Sequence, residues 1–85
     1  PYLRNAEQQD YWINYLRENH AARFDALERL YRTDLTRLTD EIEQRNISLD
    51  SAEYEGRIRV FEARFKQQET RLIWELSNAE GMENH

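Results

Sequence analysis

The feature that most constrains the fold of this chain is a long stretch without glycine or proline. Neither residue occurs between Leu3 and Asn46, and Gly56 is the only glycine before Gly81. Glycine and proline are the residues that most often end or interrupt a helix, so a stretch free of both is typical of a long helix. The sequence therefore predicts a first helix over about residues 3–46.

Apolar residues repeat every eleven positions within this stretch. One series is Leu16, Leu27, Leu38 and Leu49, and the others are Ile13, Phe24 and Leu35, and His20, Tyr31 and Ile42. An eleven-residue repeat keeps an apolar stripe nearly straight along a helix. Since 34% of the residues are charged, the pattern indicates an amphipathic helix that buries one face against other helices.

A second apolar stripe follows on a different face. Its members are Tyr54, Ile58, Phe61, Phe65, Leu72 and Leu76. Helical residues advance by about 100° each, so in an unbroken helix this stripe would point almost opposite to the first. The change of face falls at residues 46–51, where Asn46 can end one helix in the left-handed conformation. Asp50, with Glu53 three residues on, can cap the next helix, and Ser48 and Ser51 are the alternatives.

Two architectures remain open at this point. The reversal of face and the capping residues favour a helical hairpin, while the lack of glycine and proline in the turn allows one long interrupted coiled-coil helix. In both, we expect a single all-α domain that assembles into an oligomeric bundle. Its expected parts are helix 1 at about 3–46, a turn or break at about 46–51, helix 2 at about 51–77 and a flexible tail at 78–85.

The first helix of such a hairpin would be longer than the second. At about 1.5 Å per residue, it would overhang by about 20 Å, and Trp12, Ile13, Tyr15 and Leu16 would lie there without a partner in the same chain. The hairpin would also bring Phe24 near Ile73 or Trp74, and Tyr31 near Phe65 or Lys66. Together, the overhang and the two stripes make up the candidate partner-binding residues: Tyr11, Trp12, Ile13, Tyr15, Leu16, His20, Phe24, Leu27, Tyr31, Leu35, Leu38, Ile42, Ile58, Phe61, Phe65, Leu72, Trp74 and Leu76.

Composition and missing motifs narrow the function classes. The chain has no cysteine, which excludes disulfides and thiolate metal sites and favours an intracellular protein, cytoplasmic or cytoskeletal. No apolar run approaches the roughly 18 residues that a membrane span needs. The sequence has no Ser/His/Asp arrangement, glycine-rich phosphate loop or EF-hand loop. We therefore expect a non-enzymatic protein without cofactor or metal that packs against protein helices.

Two further features leave alternatives open. A basic cluster at Arg57, Arg59 and Arg64 permits a small plasmid- or phage-type helical-hairpin dimer that acts as a regulatory binding module. Interleaved glutamates and a net charge of −5 make nucleic acid an unlikely partner for it. His20, on the first stripe, is either an ordinary interface residue or a pH-sensitive contact.

The segment at residues 23–45 carries a recognisable pattern. It comprises Arg23, Leu27, Glu28, Tyr31, Asp34, Leu35, Leu38, Thr39, Glu41, Ile42, Glu43 and Arg45. In these residues the segment resembles the coiled-coil subunits of the nexin–dynein regulatory complex of motile cilia. The resemblance implies a long heterodimeric coiled coil in an axonemal scaffold, and it favours the continuous helix.

Overall fold

Three α-helices make up the described part of the chain. In this computed structural model, which describes residues 6–81, α1 is Ala6–Asn19, α2 is Ala21–Gln44 and α3 is Ala52–Ala79. No strand occurs among these residues, so the prediction of an all-α protein is confirmed. The expected helix start at Leu3 and residues 82–85 of the expected tail lie outside the described residues.

The turn between α2 and α3 has a capping arrangement at each side. Asn46 has a φ of 56°, and its N–H donates to the Glu43 carbonyl at 3.1 Å, while the N–H of Ile47 donates to the Ile42 carbonyl at 3.1 Å. These bonds satisfy the last carbonyls of α2 in a Schellman motif. Ser51 then begins α3, because its hydroxyl accepts a hydrogen bond from the Tyr54 N–H at 3.1 Å.

The helices α2 and α3 pack antiparallel, as in the hairpin alternative. Near the turn, Arg57 lies 3.1 Å from Glu41. Further along, the Tyr31 ring lies 4.4 Å from the Phe65 ring, centroid to centroid. At the far end Arg23 lies 3.7 Å from Glu75. Contacts whose numbers rise on one helix and fall on the other define an antiparallel pair.

The prediction of one helix over residues 3–46 is wrong at His20. The ladder of helical hydrogen bonds ends with His20 N–H donating to the Leu16 carbonyl at 2.8 Å and resumes with Phe24 N–H donating to the His20 carbonyl at 3.3 Å. Between them, Arg23 N–H turns to the same His20 carbonyl, three residues back, at 3.0 Å. His20 itself, with φ −132° and ψ 38°, lies outside helical geometry.

The break lets α1 pack against the C-terminal part of α3, so the predicted overhang is also wrong. Leu16 is fully buried in a core cluster with Phe24, Leu72 and Leu76. Burying a leucine contributes about 1.5–3 kcal/mol, whereas a helical hydrogen bond contributes about 0.5–1.5 kcal/mol. The bend is therefore favoured because α3 offers an apolar surface. The periodicity within α1 and α2 carries no information about that surface, so the bend could not be predicted from it.

The end of α3 takes part in this packing. We expected the chain from residue 78 to be a flexible tail, but α3 continues to Ala79 and ends at Glu80, followed by Gly81 with a φ of 76°. The indole N–H of Trp12 donates to the Ser77 hydroxyl at 2.7 Å. Ser77 and Glu80 are therefore hydrogen-bond partners of α1.

Candidate helix-docking site

The α2–α3 pair is covered by α1 at one end only. We call the buried cluster of Leu16, Phe24, Leu72 and Leu76 the proximal core. Trp12, Tyr15, Leu27 and Ile73 pack around it and are partly buried. Its apolar side chains are shielded because a third helix lies over them.

The other half of the pair has a groove in place of a third helix. We call it the distal groove, and its apolar walls are Tyr31, Leu38, Phe61 and Phe65, all of which stay half-buried. Two cavities of about 330 and 470 Å³ overlap along it. Its further lining residues are Asp34, Arg37, Glu41, Gly56, Arg57, Val60, Arg64 and Gln68. Such an amphipathic groove has the character of a site for a helix.

Both signs of charge line the distal groove. Arg37 lies 3.5 Å from Asp34, and Glu41 lies 3.1 Å from Arg57. Arg64 has no carboxylate within ion-pair distance among residues 6–81. The acidic groups are on α2 and Arg64 is on α3, so the two walls differ in charge.

The candidate partner-binding residues separate into four groups. Leu16, Phe24, Leu72 and Leu76 are in the proximal core, with Trp12, Tyr15 and Leu27 against it. Tyr31, Leu38, Phe61 and Phe65 line the distal groove. Ile42 is buried at the turn end of α2, and Ile13, His20, Leu35 and Ile58 are half-buried. Tyr11 and Trp74 are 74% and 59% exposed.

Sequence reasoning missed Val60 as a groove residue. Its side chain is 54% exposed and lines the distal groove with Arg64, one helical turn later. Neither residue belongs to the apolar stripe of α3. Their position next to Phe61 and Phe65 could have identified them from the sequence, because a groove is lined by the residues that flank an apolar stripe as well as by the stripe itself.

The end near His20 carries a small polar network. The carboxylate of Glu80 accepts a hydrogen bond from the Tyr15 hydroxyl at 3.2 Å, and its other oxygen lies 3.0 Å from His20 Nε2. The negative charge of Glu80, together with this hydrogen bond, raises the pKa of Tyr15. His20 and Tyr15 thus connect the region of the break between α1 and α2 to Glu80 at the end of α3.

A second tyrosine joins α2 to α3. The Tyr31 hydroxyl donates to the Glu62 carboxylate at 2.8 Å. This hydrogen bond is the largest cause of the raised pKa of Tyr31, because ionising the phenol would remove the donor and place two negative charges together. The bond fixes the orientation of a ring that also contacts Phe61 and Phe65.

The basic cluster is divided between different environments. Arg57 makes ion pairs with Glu41 and Glu53, both at 3.1 Å. Arg57 and Arg64 both line the distal groove, and Arg59 is on the exposed surface of α3. Arg57 is thus neutralised by two glutamates, and Arg59 lies outside the groove that holds the other two arginines.

Within the part of the chain that the structure describes, no cluster of three or more His, Asp and Glu side chains could hold a metal ion. None of the described helices combines the length and apolar character that a membrane crossing requires. Comparison with models of protein families, with curated proteins and with solved structures finds no match. The function is therefore argued from the geometry of the chain.

Proposed function

We propose that this chain is a non-enzymatic assembly protein that packs the helices of a second copy against its distal groove. The observation that carries the proposal is the contrast between the two halves of the α2–α3 pair. The proximal half is covered by α1, and Leu16 there is fully buried. In the distal half Phe61 and Phe65 remain half-buried, and no helix among residues 6–81 covers them.

The charges of the distal groove favour a second copy as the occupant. In a two-fold dimer whose axis runs along the helices, each wall of one copy faces the other wall of its partner. In that arrangement the Asp34 and Glu41 side of α2 meets the Arg64 side of α3 from the other copy. Arg64 would gain the carboxylate partner that it lacks among the described residues of its own chain.

Two hairpins joined in this way form a four-helix bundle at the distal end. The apolar walls of Tyr31, Leu38, Phe61 and Phe65 then become its shared core. Bundles of this kind pack apolar stripes of the kind that the two repeats of this sequence provide. Such a bundle would act as a scaffold, because its contacts are between protein helices.

Sedimentation equilibrium of the isolated chain tests this proposal over the micromolar range. We expect the wild type to self-associate, and Phe61→Gln, which introduces a polar side chain into the groove, to lower the average mass by removing the pairing at the distal groove. Trp74→Gln is the matched control, since Trp74 is an exposed aromatic residue of the same helix outside the groove. A wild-type monomer at about 100 μM, equivalent to an interface weaker than about 5.5 kcal/mol, would refute the proposal.

A further inference from the structure

The break at His20 has an unusual sequence for a helix end. The residues around it, Asn19 to Ala22, include neither glycine nor proline, and the first apolar stripe runs through it without a change of face. The start of α2 has no side-chain cap, since His20 makes no capping hydrogen bond to its first turn, whereas at the end of α1 the Asn19 amide donates to the Tyr15 carbonyl at 2.8 Å. Apart from this Asn19 bond, local sequence thus favours one continuous helix, and tertiary packing bends it.

The contacts that hold α1 in the bent form are with both α2 and α3: on α2, Leu16 packs with Phe24, and the Arg17 guanidinium lies 5.0 Å from the centre of the Phe24 ring. On α3, Leu16 packs with Leu72 and Leu76, and Arg17 lies 3.2 Å from Glu69. None of these contacts depends on α1 belonging to the same chain as the surface it covers. An identical α1 from another copy would satisfy the same surface.

We propose that two copies of this chain exchange α1. In the exchanged form the helix runs unbroken from α1 through His20 into α2, and each α1 packs on the α3 of the other copy. The contacts of the proximal core are kept, and the amides of Ala21, Ala22 and Arg23 regain helical acceptors. Domain exchange has a low free-energy cost when the connection between two helices is short and its residues favour a continuous helix.

The exchange is separate from the pairing at the distal groove. It uses α1 and the C-terminal part of α3, at the opposite end of the α2–α3 pair. Exchange alone closes a two-fold dimer, because each copy gives one helix and receives one. The two proposals can therefore fail independently.

Charge reversal at an α1–α3 ion pair tests the exchange. One chain carries Arg17→Glu and the other Glu69→Arg, so each alone has like charges at this contact. In an exchanged mixed dimer both contacts regain opposite charges, one as wild type and one inverted. Native mass spectrometry of the mixture should show mixed dimers about two-fold or more above the statistical share, given the modest strength of exposed pairs.

A matched control comes from the ion pair between α2 and α3. Arg23 lies 3.7 Å from Glu75, and both helices stay in the same chain during exchange. A mixture of Arg23→Glu with Glu75→Arg should therefore give the statistical share of mixed dimers. An excess in both mixtures, an excess in neither, or no dimer at all would overturn the proposal.

Two hinge variants provide a second readout that does not depend on charge. In the Phe61→Gln background, where the distal pairing is removed, His20→Ala should strengthen dimerisation about four- to nine-fold, because alanine is the better helix former at each of the two hinges. The double variant Ala21→Gly with Ala22→Gly should weaken dimerisation in the same background, since glycine disfavours a helix interior by about four- to five-fold per residue. If the two variants shift the dimer fraction in the same direction, or do not shift it, α1 is not exchanged.

Discussion

Replacement of Leu16 by alanine distinguishes the packed α1 from the overhanging helix that the periodicity predicts. Leu16 is fully buried between α1 and α3, against Phe24, Leu72 and Leu76. Leucine-to-alanine changes at such sites cost about 2–5 kcal/mol, because the cavity closes only in part. A chain of this length has about 4–13 kcal/mol of stability in total, at 0.05–0.15 kcal/mol per residue. We therefore expect a loss of about a sixth or more of the unfolding free energy.

Urea denaturation followed by far-ultraviolet circular dichroism measures this loss. Leu30→Ala is the control, since it makes the same chemical change on α2 at a side chain that is 47% exposed. Exposed substitutions of this kind change stability by about 0.5 kcal/mol or less. The reasoning is refuted if Leu16→Ala costs no more than Leu30→Ala, because α1 would then have no core to fill.

Four further substitutions test local features of the fold. Gly56→Ala should stabilise the chain by about 0.5–1 kcal/mol, since an added Cβ there meets no atom within 4 Å. Ser51→Ala should cost about 1 kcal/mol through loss of the α3 cap, measured by urea denaturation. Asn46→Ala should cost about 1 kcal/mol and Asn46→Gly almost nothing, because φ at this position is 56°. Tyr15→Phe should make stability fall less steeply with pH above about 10, as seen in thermal denaturation between neutral and alkaline pH.

The sign of the alkaline effect follows from the raised pKa of Tyr15. A group whose pKa is higher in the folded state contributes fully below its unfolded value of about 10 and loses that contribution as the pH rises through the folded-state value. Tyr54→Phe, near the turn, is the control variant. A wild-type pH profile that Tyr15→Phe does not alter would contradict the contact with Glu80.

Each of the other three substitutions also has a contradicting result. Thr33→Ala, on the exposed face of α2, sets the baseline for Ser51→Ala, and equal losses would mean that Ser51 caps nothing. A destabilising Gly56→Ala would place α3 closer to another segment than the structure has it. Equal effects of alanine and glycine at Asn46 would remove the left-handed residue from the turn.

The hairpin between α2 and α3 could be predicted from the sequence because local residues define its turn. Asn46 and Ser51 bracket the turn, and the stripes on either side change face. The break at His20 was not predictable, because neither glycine nor proline occurs there. Leu16 leaves the line of the helix only because Leu72 and Leu76, more than fifty positions later, form an apolar surface.

The candidate site was predicted in part. The stripe residues Tyr31, Leu38, Phe61 and Phe65 were identified from periodicity alone, and they line the distal groove. Periodicity cannot tell which part of a stripe is satisfied within the chain, so the partner was expected at the α1 end. Which part of the α2–α3 pair is covered depends on where α1 packs, and this is determined by tertiary contacts between distant residues.

The packing of α1 against the end of α3 has a consequence for how the chain forms during synthesis. Trp12 and Ser77 are 65 positions apart, whereas Glu41 and Arg57 are 16 apart, so closing the larger loop costs about 1.2 kcal/mol more in chain entropy. At about 5–20 residues per second, the ribosome needs about 3–13 s to make the residues between Trp12 and Ser77. Of the three described helices, α1 is thus made first and is the last one able to fold into place, and its apolar face stays open to other chains during that delay.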